Sequence, residues 1–148
     1  MGTMSVRRGL AITLCSALAA PALLTAADDF VVIVHPSVAG TSIRRTDLAA
    51  VFLKAARWGS GSFAIPVDQS GTSAVRRSFS DAVLGMPVEA AVQYWQGQMF
   101  AGSRVRPPAV KGSDADVIAF VAKTEGAVGY VSKTATLPSG VKAIAVTD

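Results

Sequence analysis

The segment PVDQSGTSAVRRSF, residues 66–79, contains the transition that decides the fold of this chain. Apolar and β-branched residues lead into it, and they predict a strand over Phe63–Val67. Small residues then form a turn, and the spacing of the later apolar side chains predicts a helix over Thr72–Leu84. A strand that passes through a short turn into a helix is typical of α/β proteins.

The other apolar patterns continue this alternation of strands and helices. Phe30–Val34 is an unbroken apolar run, as expected for a strand that is buried on both faces. An amphipathic helix begins near Arg45, where Ser42 or Thr46 is available as its N-cap. Further helices are predicted from Pro87 to Gly102 and over residues 113–124, and further strands over residues 126–132 and 141–146. The sequence therefore predicts one α/β domain with a central sheet.

The first 27 residues have the layout of a secretory signal peptide. Arg7 and Arg8 precede an apolar run from Leu10 to Leu24, and small residues stand before Asp28. The apolar run is short for a membrane span, although a retained N-terminal anchor is the alternative interpretation. We expect cleavage before Asp28, a mature domain of residues 28–148, and a periplasmic or secreted location.

Composition limits the classes of function for the mature domain. Without residues 1–27 the chain keeps twelve basic and ten acidic residues, a net charge of +2. This mild charge, with no lysine-rich run, argues against nucleic-acid binding. The one cysteine, Cys15, lies in the predicted signal peptide, so the mature domain depends on its apolar core for stability.

The turn at Ser70, Gly71 and Thr72 has two possible roles. Two hydroxyl groups lie beside unpaired backbone N–H groups at the positive end of a helix dipole, an arrangement that attracts oxyanions. Gly71 has no Cβ, so a ligand can approach the backbone closely. The alternative is that Ser70 or Thr72 only caps the helix.

Several segments in order resemble the periplasmic phosphate-binding proteins of ABC importers. They are DLAAVFLKAARWGSGSFAIPVD (47–68), QSGTSAVRRSFSDAVLG (69–85), YWQGQMFAGSRVRPPAV (94–110) and EGAVGYVS (125–132). The resemblance covers nearly all of residues 30–146. It implies a single-lobe, type II periplasmic-binding-protein-like domain, with a mixed sheet flanked by helices. It also implies that Asp68, Ser70, Gly71 and Thr72 bind phosphate, and that GAVGYV (126–131) is a structural signature.

Two departures from the family pattern affect the expected site. The family usually has an arginine two residues before the aspartate, where this chain has Pro66. Arg76 or Arg77 is available to reach back to the anion, because helical side chains lean toward the N-terminus, and the alternative is that both are solvated surface residues. The chain also matches only about one lobe, so a second copy or another protein, such as the permease of the importer, is expected to complete the site.

The resemblance also gives Asp68 a chemical role. A carboxylate can lie next to a phosphate oxygen only by accepting the proton of a protonated phosphate, and sulfate has no such proton. We therefore expect Asp68 to favour phosphate over sulfate. The alternative is a local turn in which Asp68 accepts a hydrogen bond from the backbone of Ser70.

Two other classes of function compete with the binding interpretation. Catalysis would need a base near Ser70, but the one histidine, His35, is predicted at a strand end, and no metal-binding or cofactor-binding motif is present. We therefore expect no enzyme activity, no metal and no cofactor. The remaining alternative is an envelope interaction module that uses ARWGSGS (56–62) or YWQGQMF (94–100) to dock another protein.

Overall fold

The computed structural model describes residues 28–55, 57–58, 61 and 63–148. The predicted signal peptide, residues 1–27, lies outside the described residues. Among the described helices, none is both long enough and apolar enough to cross a membrane.

The described chain contains six strands and four helices. The strands are β1 (Phe30–Val34), β2 (Ser42–Arg44), β3 (Ile65–Gln69), β4 (Ala109–Lys111), β5 (Ala127–Ser132) and β6 (Lys142–Thr147). The helices are α1 (Arg45–Lys54), α2 (Ala74–Phe79), α3 (Val88–Phe100) and α4 (Asp114–Lys123). After α2 the chain continues into a wider helical turn over Ser80–Leu84, which ends when the Gly85 N–H donates to the Ser80 carbonyl.

The six strands form one mixed sheet in the order β2-β6-β1-β5-β3-β4. Strand β1 is antiparallel to both of its neighbours, β5 and β6. The other pairs, β2 with β6, β3 with β5 and β3 with β4, are parallel. The carboxyl ends of β3, β4 and β5 therefore lie at the same edge of the sheet, which is where open α/β sheets bind ligands.

One face of the sheet carries an aromatic core. Because side chains alternate along a strand, Phe30, Val32 and Val34 of β1 point to this face, and α1 and α2 pack against it. The rings of Phe79 and Tyr130 stack with centroids 3.8 Å apart. Tyr130 thus belongs to the core, and its hydroxyl points toward the carboxyl end of the neighbouring strand β3.

The opposite face is covered by α4. Val117 and Val121 of this helix pack in a second cluster that contains Ile33 and Val67. A Cβ atom at Gly129 would lie 2.7 Å from Val67 and 2.8 Å from Val117, closer than side chains pack. Glycine at this position therefore lets α4 lie close to β5. The α/β fold with a central sheet flanked by helices is confirmed.

Several predicted boundaries are wrong. β3 extends to Gln69 instead of ending at Val67, and Phe63 forms only an isolated bridge with Arg57. Two short strands at the sheet edges, β2 and β4, were not predicted, because three residues carry too little periodicity to be recognised.

The predicted cap of α1 is also wrong. Its N-cap residue is Arg44, which makes no side-chain capping hydrogen bond. Ser42 instead belongs to β2, and Thr46 is already inside the helix. Side-chain bonds therefore do not fix the start of this helix, which follows directly from the preceding strand.

Candidate functional site

The end of β3 leads directly into the turn that the sequence indicated. Asp68 and Gln69 are the last two residues of the strand, and both are buried. The Ser70 N–H donates to the Lys111 carbonyl of β4 at 3.0 Å, and the Ser73 N–H donates to the Ser70 carbonyl at 2.9 Å. The turn is thus held by backbone hydrogen bonds at both ends.

Ser73 caps α2. Its hydroxyl oxygen accepts a hydrogen bond from the Arg76 N–H at 3.4 Å, and its backbone is extended as expected for an N-cap. The alternative assignment of Ser70 or Thr72 as the cap is therefore wrong, and the helix begins at Ala74 instead of Thr72. The hydroxyls of Ser70 and Thr72 lie 3.1 Å apart at the surface of the turn, free of a capping role.

The two arginines of the segment have different environments. Arg77 is exposed, and its Nη1 donates to the Thr72 carbonyl at 3.1 Å. Arg76 is only 5% exposed, and its Nη1 lies 2.9 Å from Oδ2 of Asp68. The interpretation as a solvated surface residue is thus correct for Arg77 and wrong for Arg76.

The ion pair of Arg76 lacks the alignment of a hydrogen bond. Its Nη1 has a short distance to Asp68, yet it is a buried donor without a hydrogen-bond partner among the described residues. A buried donor of this kind is costly unless an acceptor is supplied. The carboxylate of Asp68 therefore balances the charge of Arg76, although Nη1 makes no aligned hydrogen bond to it.

The carboxylate of Asp68 is held by donors on its other oxygen. Oδ1 accepts a hydrogen bond from the Gln69 N–H at 2.8 Å and another from the hydroxyl of Tyr130. The local bond goes to Gln69, so the proposed turn that closes on the Ser70 backbone is wrong. Oδ2 faces Arg76 and is the oxygen that these two donors leave available.

Tyr130 is the member of this group that the sequence analysis missed, because the GAVGYV segment was interpreted as purely structural. A recognisable signal existed: a tyrosine in a fully buried strand needs a partner for its hydroxyl. Here that partner is Asp68. The segment is thus both a core strand and part of the site.

Burial and charge oppose each other in this group. Burial raises the pKa of Asp68 above its ordinary value, although the charge of Arg76 and the hydrogen bonds from Tyr130 and Gln69 act to lower it. Burial and the neighbouring Asp68 carboxylate also raise the pKa of Tyr130. The phenol therefore stays protonated at neutral pH and donates to the carboxylate.

A second hydrogen-bond network fixes the strand ends around the site. The side-chain amide of Gln69 donates to Oδ1 of Asp114 at 2.8 Å and to the Tyr130 carbonyl at 3.0 Å. The Ser132 N–H also donates to Oδ1 of Asp114, at 3.2 Å. Burial acts to raise the pKa of Asp114, but the hydrogen bonds from Gln69 and Ser132 outweigh it and lower the pKa. The network ties β3, β5 and the start of α4 together.

An open pocket of about 290 Å³ lies next to the buried pair, and we call it the α3 pocket. Its polar end is formed by Asp68, Gln69, Gly71 and Arg76. The other lining residues are mostly apolar: Val88, Val92, Trp95, Gln96, Met99, Pro107, Pro108 and Val110. The structure thus brings three predicted site residues, Asp68, Gly71 and Arg76, to one pocket, while Ser70 and Thr72 flank it on the turn.

His35 lies far from this group in the topology. His35 follows the carboxyl end of β1, and its N–H donates to the Ala127 carbonyl at the start of β5. The turn follows the carboxyl end of β3, which is parallel to β5 and therefore points to the other end of that strand. Nδ1 of His35 lies 2.7 Å from the hydroxyl of Ser37. The histidine is therefore at the opposite edge of the sheet from Ser70 and is not positioned to activate it.

The mixed sheet with its single antiparallel strand β1 and its flanking helices has the fold of one lobe of the phosphate receptors of ABC importers, as three solved structures show. A phosphate transport receptor from Vibrio cholerae matches with a TM-score of 0.60 and 21% identity, over 80% of this chain and 46% of the receptor. A substrate-binding protein with bound phosphate from Clostridium perfringens matches with a TM-score of 0.61 and 17% identity, over 80% of this chain and 45% of that one. PstS from Borrelia burgdorferi matches with a TM-score of 0.62 and 17% identity, over 82% and 48%.

These similarities establish the fold alone, because the identities are low. The chain spans a little under half the length of the structures it matches. No family model matches the sequence, and no curated protein matches it either.

Proposed function

We propose that this lobe binds phosphate or a similar oxyanion at the turn after β3, as a substrate-binding component or accessory of phosphate ABC transport. The observation that carries the proposal is the buried guanidinium of Arg76, which lines the pocket together with Asp68 and Gly71 of the strand end and the turn. The phosphate receptors that share the fold support the choice of anion. Arg76 would replace the arginine that the family has at the position of Pro66.

The proposed ligand contacts come from the turn and the buried pair. The hydroxyls of Ser70 and Thr72 and the backbone at Gly71 provide donors at the surface of the turn. Oδ2 of Asp68 faces Arg76 and accepts no hydrogen bond from the described residues, so it would be the acceptor for the proton of a protonated phosphate, whereas Oδ1 already accepts two hydrogen bonds. In this arrangement sulfate would face the carboxylate without a proton to share.

A single open lobe is expected to bind weakly. Three or four hydrogen bonds to a charged ligand contribute about 5–12 kcal/mol, from which the loss of translational freedom is subtracted. Micromolar affinity needs about 8 kcal/mol net. A second copy of the chain or a permease that covers the turn would supply the missing contacts, as the second lobe does in a two-lobed receptor.

Calorimetric titration tests the proposal. We expect phosphate to bind to the mature chain and sulfate to bind much more weakly. Thr72→Ala removes one hydrogen bond to a charged ligand, so the Kd for phosphate should rise about tenfold or more. Thr72 is not the cap of α2, so this substitution leaves the free energy of unfolding nearly unchanged. Thr46→Ala, at an exposed threonine on α1, is the matched control and should change neither quantity.

Export is the second part of the proposal. The layout of residues 1–27 supports a cleaved signal peptide, and the solved proteins of this fold include transport receptors. N-terminal sequencing of the protein from the cell envelope should begin within a residue or two of Asp28. Recovery of the intact segment Leu10–Leu24 in that material would contradict this part.

An envelope interaction module on the same fold is the alternative function. Phe100, in the segment 94–100, is 92% exposed, which favours a contact with another protein there. Thermal stability that responds to neither phosphate nor sulfate would favour this module over an anion receptor.

A further inference from the structure

The α3 pocket has two chemically different ends. Asp68 and Arg76 form a charged end, and α3, the proline pair and β4 form apolar walls. Inorganic phosphate would occupy only the charged end, because it has no apolar surface to place against the walls. The walls therefore leave room for a second, apolar part of the ligand.

We propose that the ligand of this site is a phosphoryl or phosphonyl group that carries a short apolar substituent. The charged group lies at Arg76 and the turn, and the substituent lies in the α3 pocket. This inference rests on the proposed function, because it takes the same turn and the same arginine as the anion-binding end.

Exposure of the walls supports the apolar substituent. Val92 is 47% exposed, Met99 is 57% exposed and Val110 is 62% exposed, and all three line this pocket. Scattered apolar side chains are ordinary on a surface, but several that face one concave space next to a buried charge form a binding pocket. A volume of about 290 Å³ is near the lower end of the range for small-molecule sites, which suits a short substituent.

The contact between the turn and α3 supports a continuous site. A Cβ atom at Gly71 would lie 3.4 Å from Cγ1 of Val88, at van der Waals contact. The turn therefore lies directly against the first residue of α3, and one ligand can contact both. Arg76 lines the same pocket, so its positive charge lies at the end where the charged group of the ligand would bind.

A series of alkylphosphonates tests the inference by calorimetry. Methyl-, propyl- and pentylphosphonate share one charged group, and inorganic phosphate is the reference. A fully buried methylene corresponds to about a fourfold lower Kd, and an open pocket buries each one partly, so we expect about two- to fourfold per methylene.

Two variants locate the effect. Met99→Ser removes an exposed apolar wall residue on α3 and leaves β3 and β4 unchanged, so the gain per methylene should shrink while the Kd for phosphate stays the same. Phe100→Ser is the matched control, because Phe100 is an exposed apolar residue on α3 that does not line the pocket. It should leave the whole series unchanged.

The outcomes separate this inference from the proposed function. Phosphate that binds while the Kd stays flat or rises along the series would overturn the inference and leave the proposed function standing. The absence of binding by phosphate and by every phosphonate would overturn both. A gain per methylene that is the same in Met99→Ser and the wild type would also overturn the inference, because the alkyl chain would then lie elsewhere. Pentylphosphonate that binds where phosphate does not would support the inference and exclude inorganic phosphate as the ligand.

Discussion

The substitution Arg76→Met tests whether Arg76 and Asp68 form a buried ion pair in the folded protein. Methionine keeps much of the length and apolar volume of the side chain, but it removes the cation beside Asp68. The side chains of both residues are less than a tenth exposed, at 6% and 9%, so water cannot replace the lost charge. Removal of one partner from a buried ion pair costs about 3–5 kcal/mol, and we expect the free energy of unfolding at pH 7 to fall by this amount.

The cost of Arg76→Met should depend on pH. Burial already raises the pKa of Asp68, and loss of the neighbouring cation raises it further in the folded state. Above the ordinary value of 3.8, the folded mutant then binds more protons than the unfolded chain, so its stability falls as the pH rises through this interval. The difference between wild type and mutant should therefore be largest at neutral pH and should shrink near pH 4.

Urea denaturation of both proteins at several pH values measures this difference. Arg77→Met is the matched control, because it removes an exposed arginine from the adjacent position on α2, and surface substitutions change stability by only about 0.5 kcal/mol. A cost for Arg76→Met that is no larger than that of the control would refute the buried pair. A large cost that does not vary with pH would show that lost packing, and not the charge of Asp68, is responsible.

Three further substitutions test separate parts of the description. Ser73→Ala should lower the free energy of unfolding by about 1 kcal/mol, because it removes the cap of α2, and Thr72→Ala should leave it unchanged. Equal effects of the two substitutions in chemical denaturation would show that Ser73 is not the cap. Gly129→Ala should destabilise by about 1–3 kcal/mol in the same measurement, because its methyl group would overlap valines of β3 and α4, and an unchanged midpoint would disprove that close contact. The pKa of Asp114 is lowered by its hydrogen bonds, so its contribution is present above pH 3.8 and is lost as the pH falls. The stability of Asp114→Asn should thus decrease less steeply than that of the wild type between pH 5 and 3, and parallel curves would argue against this role.

Long apolar runs and the turn at residues 68–73 were enough to predict the fold. Phe30–Val34 is a strand with the same bounds in the structure as in the sequence pattern. The short strands β2 and β4 have three residues each, and their formation depends on a neighbouring strand, β6 or β3, that is distant in the sequence. Local periodicity does not contain that information.

The sequence predicted where the candidate site lies, but not which of its residues form ion pairs and hydrogen bonds with one another. Arg76 and Arg77 are adjacent and chemically identical, and only packing against the end of β3 separates a buried partner of Asp68 from a surface residue. Burial of Tyr130 indicates that its hydroxyl needs a partner, but that partner, Asp68, is 62 positions away, so no local pattern identifies it. The choice of Ser73 over Ser70 and Thr72 as the cap likewise depends on where β3 ends, two residues later than predicted.

The position of β1 at the centre of the sheet has a consequence for the order of folding. The first strand of the domain pairs only with β5 and β6, the last two strands to be synthesised, so its backbone groups stay unpaired until nearly the entire chain is available. Contacts that join the two ends of a sequence close late and slow the folding rate. The parts of the sheet on either side of β1, namely β2 with β6 and β5 with β3 and β4, can therefore join only after β5 and β6 are present.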